Sequence, residues 1–404
     1  MTADIRNTVH AVEAAAVMGL LAGRPRLLAL GEPTHGQDTL LDLRNELFRQ
    51  LVEQEGYRTI AIESDCVKGL AVDAYVTSGT GTLDEVMAHG FSHGWGALAA
   101  NRELVSWMRA HNEGRPASER LRFAGFDGPL EITGADSPRQ ALTALHDYLS
   151  AWVDADLLPC TGETLDRLLG ADDRWTEPAA MTDPARSVGR SAEAARLRLL
   201  TDDLVALLDA WTPHLITATP QEDRDRACLH ARTATGLLRY HHGMADTSPA
   251  RMTRLVTVRD QMMAHNLLAV AARGPALVHA HNSHLQREKS TMRMGGVPLE
   301  WWGAGALVSA RLGDEYAFVG TALGTIRHEG VDTPQPDTVE GHLYALPGDR
   351  CLVDASRLAA ALGGKRLAHR VSPWYGYAPL DPAHLADSDG LVFVKDVPRS
   401  RAAG

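Results

Sequence analysis

Glu32 and His35 stand three residues apart in Gly31-Glu-Pro-Thr-His-Gly36, a turn that two glycines and a proline make sharp. A carboxylate beside an imidazole suits acid–base work, because it raises the basicity of the ring and fixes which nitrogen carries the proton. Three other stretches end in groups of the same kind. Glu63 closes Thr59-Ile-Ala-Ile-Glu63, Asp127 closes Leu121-Arg-Phe-Ala-Gly-Phe-Asp127, and His281 and His284 follow the run from Pro275. Arg44, one to two turns into the helical pattern after the first turn, supplies the cation that several clustered carboxylates need. Each polar end, read alone, is an ordinary solvent-facing turn, and Asp127 could simply cap the next segment. Four such ends in one chain point to a site.

Competing chemistries leave weaker traces. His279-x-His281 puts two imidazoles on one strand face, and His284 with Glu32 or Glu63 would complete a ligand set. The spacing is not the helical HExxH pattern, no thiolate is near, His279 lies within an apolar run, and the charge of Arg44 opposes a dication. The expectation is therefore no metal and no cofactor. Ser64 and Ser283 are not in a Gly-x-Ser-x-Gly elbow, and the glycines around Glu32 lack the Gly-Lys-Ser/Thr end of a phosphate loop.

The elements that position these groups follow from periodicity. Leu27–Leu30, 59–64, 121–127, 275–282, 316–323 and 390–394 read as strands, several of them apolar runs suited to burial on both faces. Helical stripes lie at 39–53, 67–76, 101–111, 299–312 and 357–362, the last capped by Ser356. Strand, polar turn, helix is the unit in which open α/β proteins place their chemistry, so the four ends should meet in one crevice. Gly90-Phe-Ser-His-Gly-Trp-Gly96 adds a glycine-punctuated loop with His93 and Trp95. Residues 135–273 read almost entirely helical, broken at 171–190, and form a large insertion that would stand beside the sheet as a lid or second wall. The organisation expected is an α/β domain in two parts, 1–134 and 274–404, around a helical insertion at 135–273.

With 404 residues the chain has ample material for a core. A net charge of −11 with no basic patch argues against nucleic acid. Cys66, Cys160, Cys228 and Cys351 are scattered without a CxxC pair, which suits a reducing cytoplasm. No apolar run reaches the ~20 residues that span a bilayer, and Ala14–Ala22 reads as an amphipathic helix rather than a signal peptide. The expected partner is a small-molecule substrate, with no nucleic acid and no membrane; the oligomeric state is not legible.

The motifs together resemble the erythromycin esterase family. The matching residues are Leu-Gly-Glu-Pro-Thr-His-Gly at 30–36 with Arg44 downstream, Ala-Ile-Glu ending on Glu63, Gly-Phe-Asp at 125–127, Arg259-Asp260 with Met263-Ala264 and Asn266, and His-Asn-x-His at 281–284. Order and spacing hold from about residue 25 to 325. The resemblance implies a three-layer α/β/α fold with a mainly parallel sheet, a helical insertion, and an active-site cleft between them. It implies that His35 activates water, surrounded by Glu32, Arg44, Glu63, His281 and His284. Family members include macrolide-lactone hydrolases, mostly regarded as metal-independent. Two departures bear on substrate: His265 stands where many members carry Glu, and the 90–96 loop replaces a Trp/Asn-rich sequence. His93, Trp95, Asp127 and His265 are accordingly the expected substrate contacts. The reading is a hydrolase of an ester or lactone, with a macrocyclic natural product and antibiotic resistance among its settings. A dehydratase, lyase or cyclase of secondary metabolism would need the same acid–base residues without an attacking water. A third alternative is a protein that binds a ligand or metal without turnover.

Overall fold

The computed structural model describes residues 5, 8–131, 134–294, 296–363, 367–374 and 376–399. The chain divides into two compact units: Met1–Glu63, Gly69–Gly125 and Leu267–Gly404 form the first, Ser64–Lys68 and Phe126–Asn266 the second.

The first unit is built on an eight-stranded sheet, except that the last two residues of two of its strands, Ser64–Asp65 and Phe126–Asp127, fall in the second unit. In chain order its strands are β1 (Val9–His10), β2 (Leu27–Glu32), β3 (Thr59–Asp65), β4 (Arg122–Asp127), β5 (Ala276–His281), β6 (Tyr316–Thr325), β7 (Arg350–Asp354) and β8 (Gly390–Asp396). They lie in the spatial order β1-β7-β8-β6-β2-β5-β3-β4. The run from β8 through β6, β2 and β5 to β3 is parallel, while β7 pairs antiparallel with β8 and β1. Every residue of β2 is buried, as its unbroken apolar run requires of a central parallel strand. Register sets the site: Leu30 lies beside His279, and Glu32 beside His281.

Both faces of this sheet are covered. Along β7 and β8, Leu352, Val392 and Val394 join one core, while Cys351, Val353, Leu391 and Phe393 join another. Successive strand side chains point to opposite faces, so the two cores are two layers. The first is closed by α1 (Ala14–Leu20), α2 (Asp38–Glu55), α3 (Gly69–Ser78), α4 (Leu83–His89) and α5 (Ala99–Asn112), through Val17, Phe48, Leu51, Val72, Val86 and Leu104. The second is closed by two short helices, Val339–Tyr344 and Ala355–Leu362, through Val339, Leu343, Leu358 and Leu362. The unit is α/β, with helices on both faces of a largely parallel sheet.

The second unit is helical, with Arg139–Ser150, Gly162–Leu169, Ala192–Ala218 and Gln221–Met244, and most of Arg251–Ala271. Leu197, Leu200, Leu204 and Leu208 recur at intervals of three and four and are all buried, the stripe by which a long helix joins a bundle core. The stretch 171–190 resolves into four short 3-10 turns, two of them opening on Pro178 and Pro184. Among the described residues no helix is long and apolar enough to cross a membrane.

Three local readings need correction. The helix expected over 299–312 begins only at Ala304; Val297–Trp302 is a strand paired with Lys289–Met294. Leu299 and Trp301 are buried and their neighbours exposed, a period of two that wins over the apolar count. Strand β7 was not foreseen, since its five residues sit between charged and polar neighbours. Finally, Asp354 rather than Ser356 caps the helix over 355–362, accepting the Arg357 backbone N–H at 2.9 Å.

Candidate active site

The turn after β2 is shaped by what surrounds it. A side chain at Gly31 would place its first carbon 2.1 Å from Asn282 Oδ1, so glycine leaves the room that the Asn282 amide occupies. Asn282 in turn holds β6, donating to the Thr321 carbonyl at 2.8 Å and accepting its N–H at 3.2 Å. Gly36 takes a left-handed φ of 75° and turns the chain into α2.

Glu32 is completely buried, and its Oε1 lies 2.8 Å from His35 Nδ1. The other face of that imidazole is open: the His35 side chain is 46 % exposed, and its Nε2 is 4.0 Å from Glu63 Oε1. Burial alone would raise the Glu32 carboxyl, yet the charges and hydrogen bonds of His279 and His35 hold it down at about 2. Glu32 is thus an anion, and His35 donates its Nδ1 proton to it. This leaves the His35 Nε2 lone pair as the accepting atom.

Glu63 ties the neighbouring strand end into the same group. Its Oε2 accepts the backbone N–H of His281 at 2.9 Å, and its Oε1 is 3.4 Å from His284 Nε2. The ring of His281 lies 5.3 Å from that of His35, edge to face. Ser283 donates its backbone N–H to His281 Nδ1 at 3.2 Å, and its hydroxyl lies 2.7 Å away. Burial, helped by the charge of His35, pushes His281 down to about 4. It is therefore neutral at physiological pH and carries its proton on Nε2, a donor rather than a base. A recess of about 110 Å³ opens beside it, lined in part by Arg287, Phe318, Leu380 and His384.

The remaining expected residues are placed as follows. Trp95 is buried with its ring 5.1 Å from that of His35, also edge to face. His93, in the same loop, adopts a left-handed φ of 54°, strain of the kind found at functional loops. Arg44 is fully buried but spends its hydrogen bonds on Asn45 Oδ1, at 3.1 and 2.8 Å, and Asn101 Oδ1, at 2.8 Å. Its charge reaches Glu32 through space, and burial brings its guanidinium down to about 10. Asp127 and His265 belong to the helical unit. Asp127 is gripped by Arg259, at 2.7 Å between Oδ2 and Nη2, besides accepting the Gly128 N–H at 2.8 Å. His265 lines a cavity of about 320 Å³ with Arg232, Thr235 and Met262 among others.

Several participants escaped the sequence reading. Asn45 and Asn101 fix Arg44 from positions 57 residues or fewer away, and Asn282 was noticed only as part of a motif. Thr34 Oγ1, Gln37 Oε1, Arg44 Nη1 and Trp95 Nε1 are enclosed without a protein partner among the described residues, as polar atoms are where water or ligand completes them. No group of three His, Cys, Asp or Glu side chains among the described residues has an arrangement suited to hold a metal ion.

A largely parallel α/β sheet that carries at its carboxyl edge a buried glutamate paired with a half-exposed histidine, and a second Glu–His set beside it, has the groups that acid–base chemistry needs. The sequence profile of the erythromycin esterase family matches residues 52–397, and the chain belongs to that family. Family membership ranks it with esterase-like hydrolases. It is 24 % identical over 327 residues to an erythromycin esterase type II of Escherichia coli, covering 80 % of this chain and 74 % of the relative. Among solved structures, a Bacillus cereus protein superposes with a TM-score of 0.74 at 17 % identity, covering 99 % of this chain and 98 % of that one. A histidine-to-asparagine mutant of the erythromycin esterase EreC, in its open conformation, gives a TM-score of 0.68 at 17 % identity over 96 % and 95 % of the two chains.

Proposed function

We propose that this chain hydrolyses a carboxylic ester or lactone, and that His35 is the base that activates water. The carrying observation is the His35–Glu32 pair: one ring nitrogen is committed to a buried anion at 2.8 Å while the ring remains half exposed. His35 Nε2 takes a proton as water attacks the acyl carbon, His281 Nε2–H donates to the oxyanion, and His35 returns the proton to the departing alkoxide. Base and oxyanion donor each contribute roughly 10²–10⁴-fold in such reactions. Glu63 positions His281 and His284, and Trp95 packs against His35 and limits how its ring can turn. The substrate is a small molecule. The curated relative's name makes a macrolide lactone the first to try, and the altered 90–96 loop favours a spectrum of its own. No metal takes part in this reading, because the candidate ligands are engaged with one another. Four free cysteines support a cytoplasmic setting.

Turnover in ¹⁸O-labelled water tests the reaction class. With erythromycin and a panel of simpler lactones and aryl esters, hydrolysis puts one labelled oxygen into the product carboxylate. A product formed without incorporation would mean elimination or cyclisation and would end the hydrolase reading.

A further inference from the structure

Glu32 is held from both sides, and the second partner has no place in the chemistry just described. His279 precedes His281 by two residues on β5 and is 2 % exposed. Its Nδ1 lies 3.0 Å from the carbonyl oxygen of Leu30, which offers only lone pairs, so Nδ1 bears a proton. Its Nε2 lies 3.3 Å from Glu32 Oε2. Both of these atoms are enclosed, and apart from each other neither has a hydrogen-bond partner among the described residues. Two lone pairs facing each other in a dry interior would leave two buried acceptors unsatisfied, a cost that native interiors avoid. One proton between them removes both penalties.

We propose that His279 is a positioning residue for the site: a proton held between its Nε2 and Glu32 Oε2 keeps Glu32 ionised, aims its other oxygen at His35, and offsets part of the negative charge that His35 feels. The arrangement is a histidine–carboxylate–histidine chain, buried at the His279 end and open at the His35 end. Other charged or titratable groups around it are Glu63 from β3, His281 and His284 from β5 and the turn after it, and Arg44 from α2, which acts on Glu32 without touching it. His279 contributes the largest of the effects that bring Glu32 down against its own burial. This inference rests on the reading of His35 as the base, and its test is built to fail separately.

The first measurement needs no substrate. In protein labelled with ¹⁵N-histidine, long-range ¹H–¹⁵N correlation at neutral pH should show His279 with protons on both ring nitrogens, the signal being identified by its loss in His279→Gln. A singly protonated His279 overturns the proposal. The second measurement is kinetic. His279→Leu removes the donor, and kcat should fall roughly tenfold or more with KM nearly unchanged, the expected loss for a hydrogen bond to a charged group. His279→Gln restores an N–H without a charge, so most of kcat should return. The acid limb of its kcat/KM profile should then move to higher pH, because His35 faces an uncompensated Glu32 and keeps its proton longer. A wild-type kcat in the Leu variant, or an unmoved acid limb in the Gln variant, overturns the proposal even if the Leu variant proves hard to fold. Should the protein hydrolyse nothing while the doubly protonated signal is present, the hydrolase reading falls and the His279–Glu32 proton stands.

Discussion

Glu32 and Asp65 each end a strand of the same sheet, each is essentially inaccessible to water, and their carboxyls are driven in opposite directions. Burial raises both. At Asp65 it prevails: the carboxyl is pushed up to about 6, although it accepts the Val67 N–H at 2.7 Å and the Lys68 N–H at 3.1 Å. At Glu32 burial is overruled, and the group sits at about 2. The difference lies in the partners. Two imidazoles bring charge to the oxygens of Glu32, whereas Asp65 has backbone dipoles and a lysine ammonium 3.9 Å away on a side chain 42 % exposed. Polar strand ends are not equivalent: the partners of Glu32 outweigh its burial, and those of Asp65 do not.

The sharpest way to break this comparison is at His35 itself. His35→Asn should fold and lose at least ~10²-fold in kcat, the lower bound for a general base. Activity within about tenfold of wild type would show that the exposed ring is a bystander and that Glu32 serves only the fold.

A pair of isosteres sharpens the comparison through stability. Glu32 titrates in the fold at about 2 against an ordinary value of 4.5, so its contribution is complete above 4.5 and is lost as pH falls toward 2. That contribution is on the order of 3 kcal/mol. Asp65 titrates at about 6 against 3.8, so it costs stability as pH rises through that window. Glu32→Gln should therefore melt below wild type at pH 7, the gap narrowing in acid. Asp65→Asn should melt level with or above wild type at pH 7.5 and lose its advantage by pH 4. His281, held at about 4, destabilises the fold as pH drops from 6.5, but it does so in every variant and cancels in the differences. Two variants that shift in the same direction at neutral pH would refute the contrast.

The smallest effect is the one expected from chelation. Incubation with EDTA and gel filtration should change neither melting temperature nor turnover, and elemental analysis should find well under one equivalent of transition metal. A structural zinc would contribute on the order of 10 kcal/mol, so its removal would be plain in the melting curve. Activity lost to EDTA and regained with zinc would recast Glu32, Glu63, His281 and His284 as ligands.

The gathering of Glu32, His35, Glu63, His281 and His284 was legible because apolar runs ending in ionisable residues have few places to go except the carboxyl edge of a parallel sheet. The helical unit was legible for a similar reason, since leucines three and four apart admit little but a helix. What escaped depends on register and on distant side chains. The pairing of β2 with β5 places His279 within reach of Glu32, and no local pattern specifies that pairing. Arg44 looked like a counter-ion for carboxylates; its hydrogen bonds go to Asn45 and Asn101, and the second of these is 57 residues away. Arg259 lies 132 residues from Asp127. The hairpin over 289–302 was hidden by composition, because Leu299 and Trp301 alternate for only a few residues before a true helix begins.

The close approach of Gly31 to Asn282 has a consequence for anyone wishing to retune this protein. Any side chain at 31 displaces the amide of Asn282, and with it the two hydrogen bonds to Thr321 that fasten β6 beside the turn carrying His35. Positions 31 and 282 therefore depend on each other, whereas Thr321 takes part only through its backbone N–H and carbonyl, which most substitutions there would keep. A mutational library aimed at new substrates should leave Gly31 and Asn282 untouched and place its diversity at the partly exposed lining of the recess, such as Gln286, Leu380 and His384.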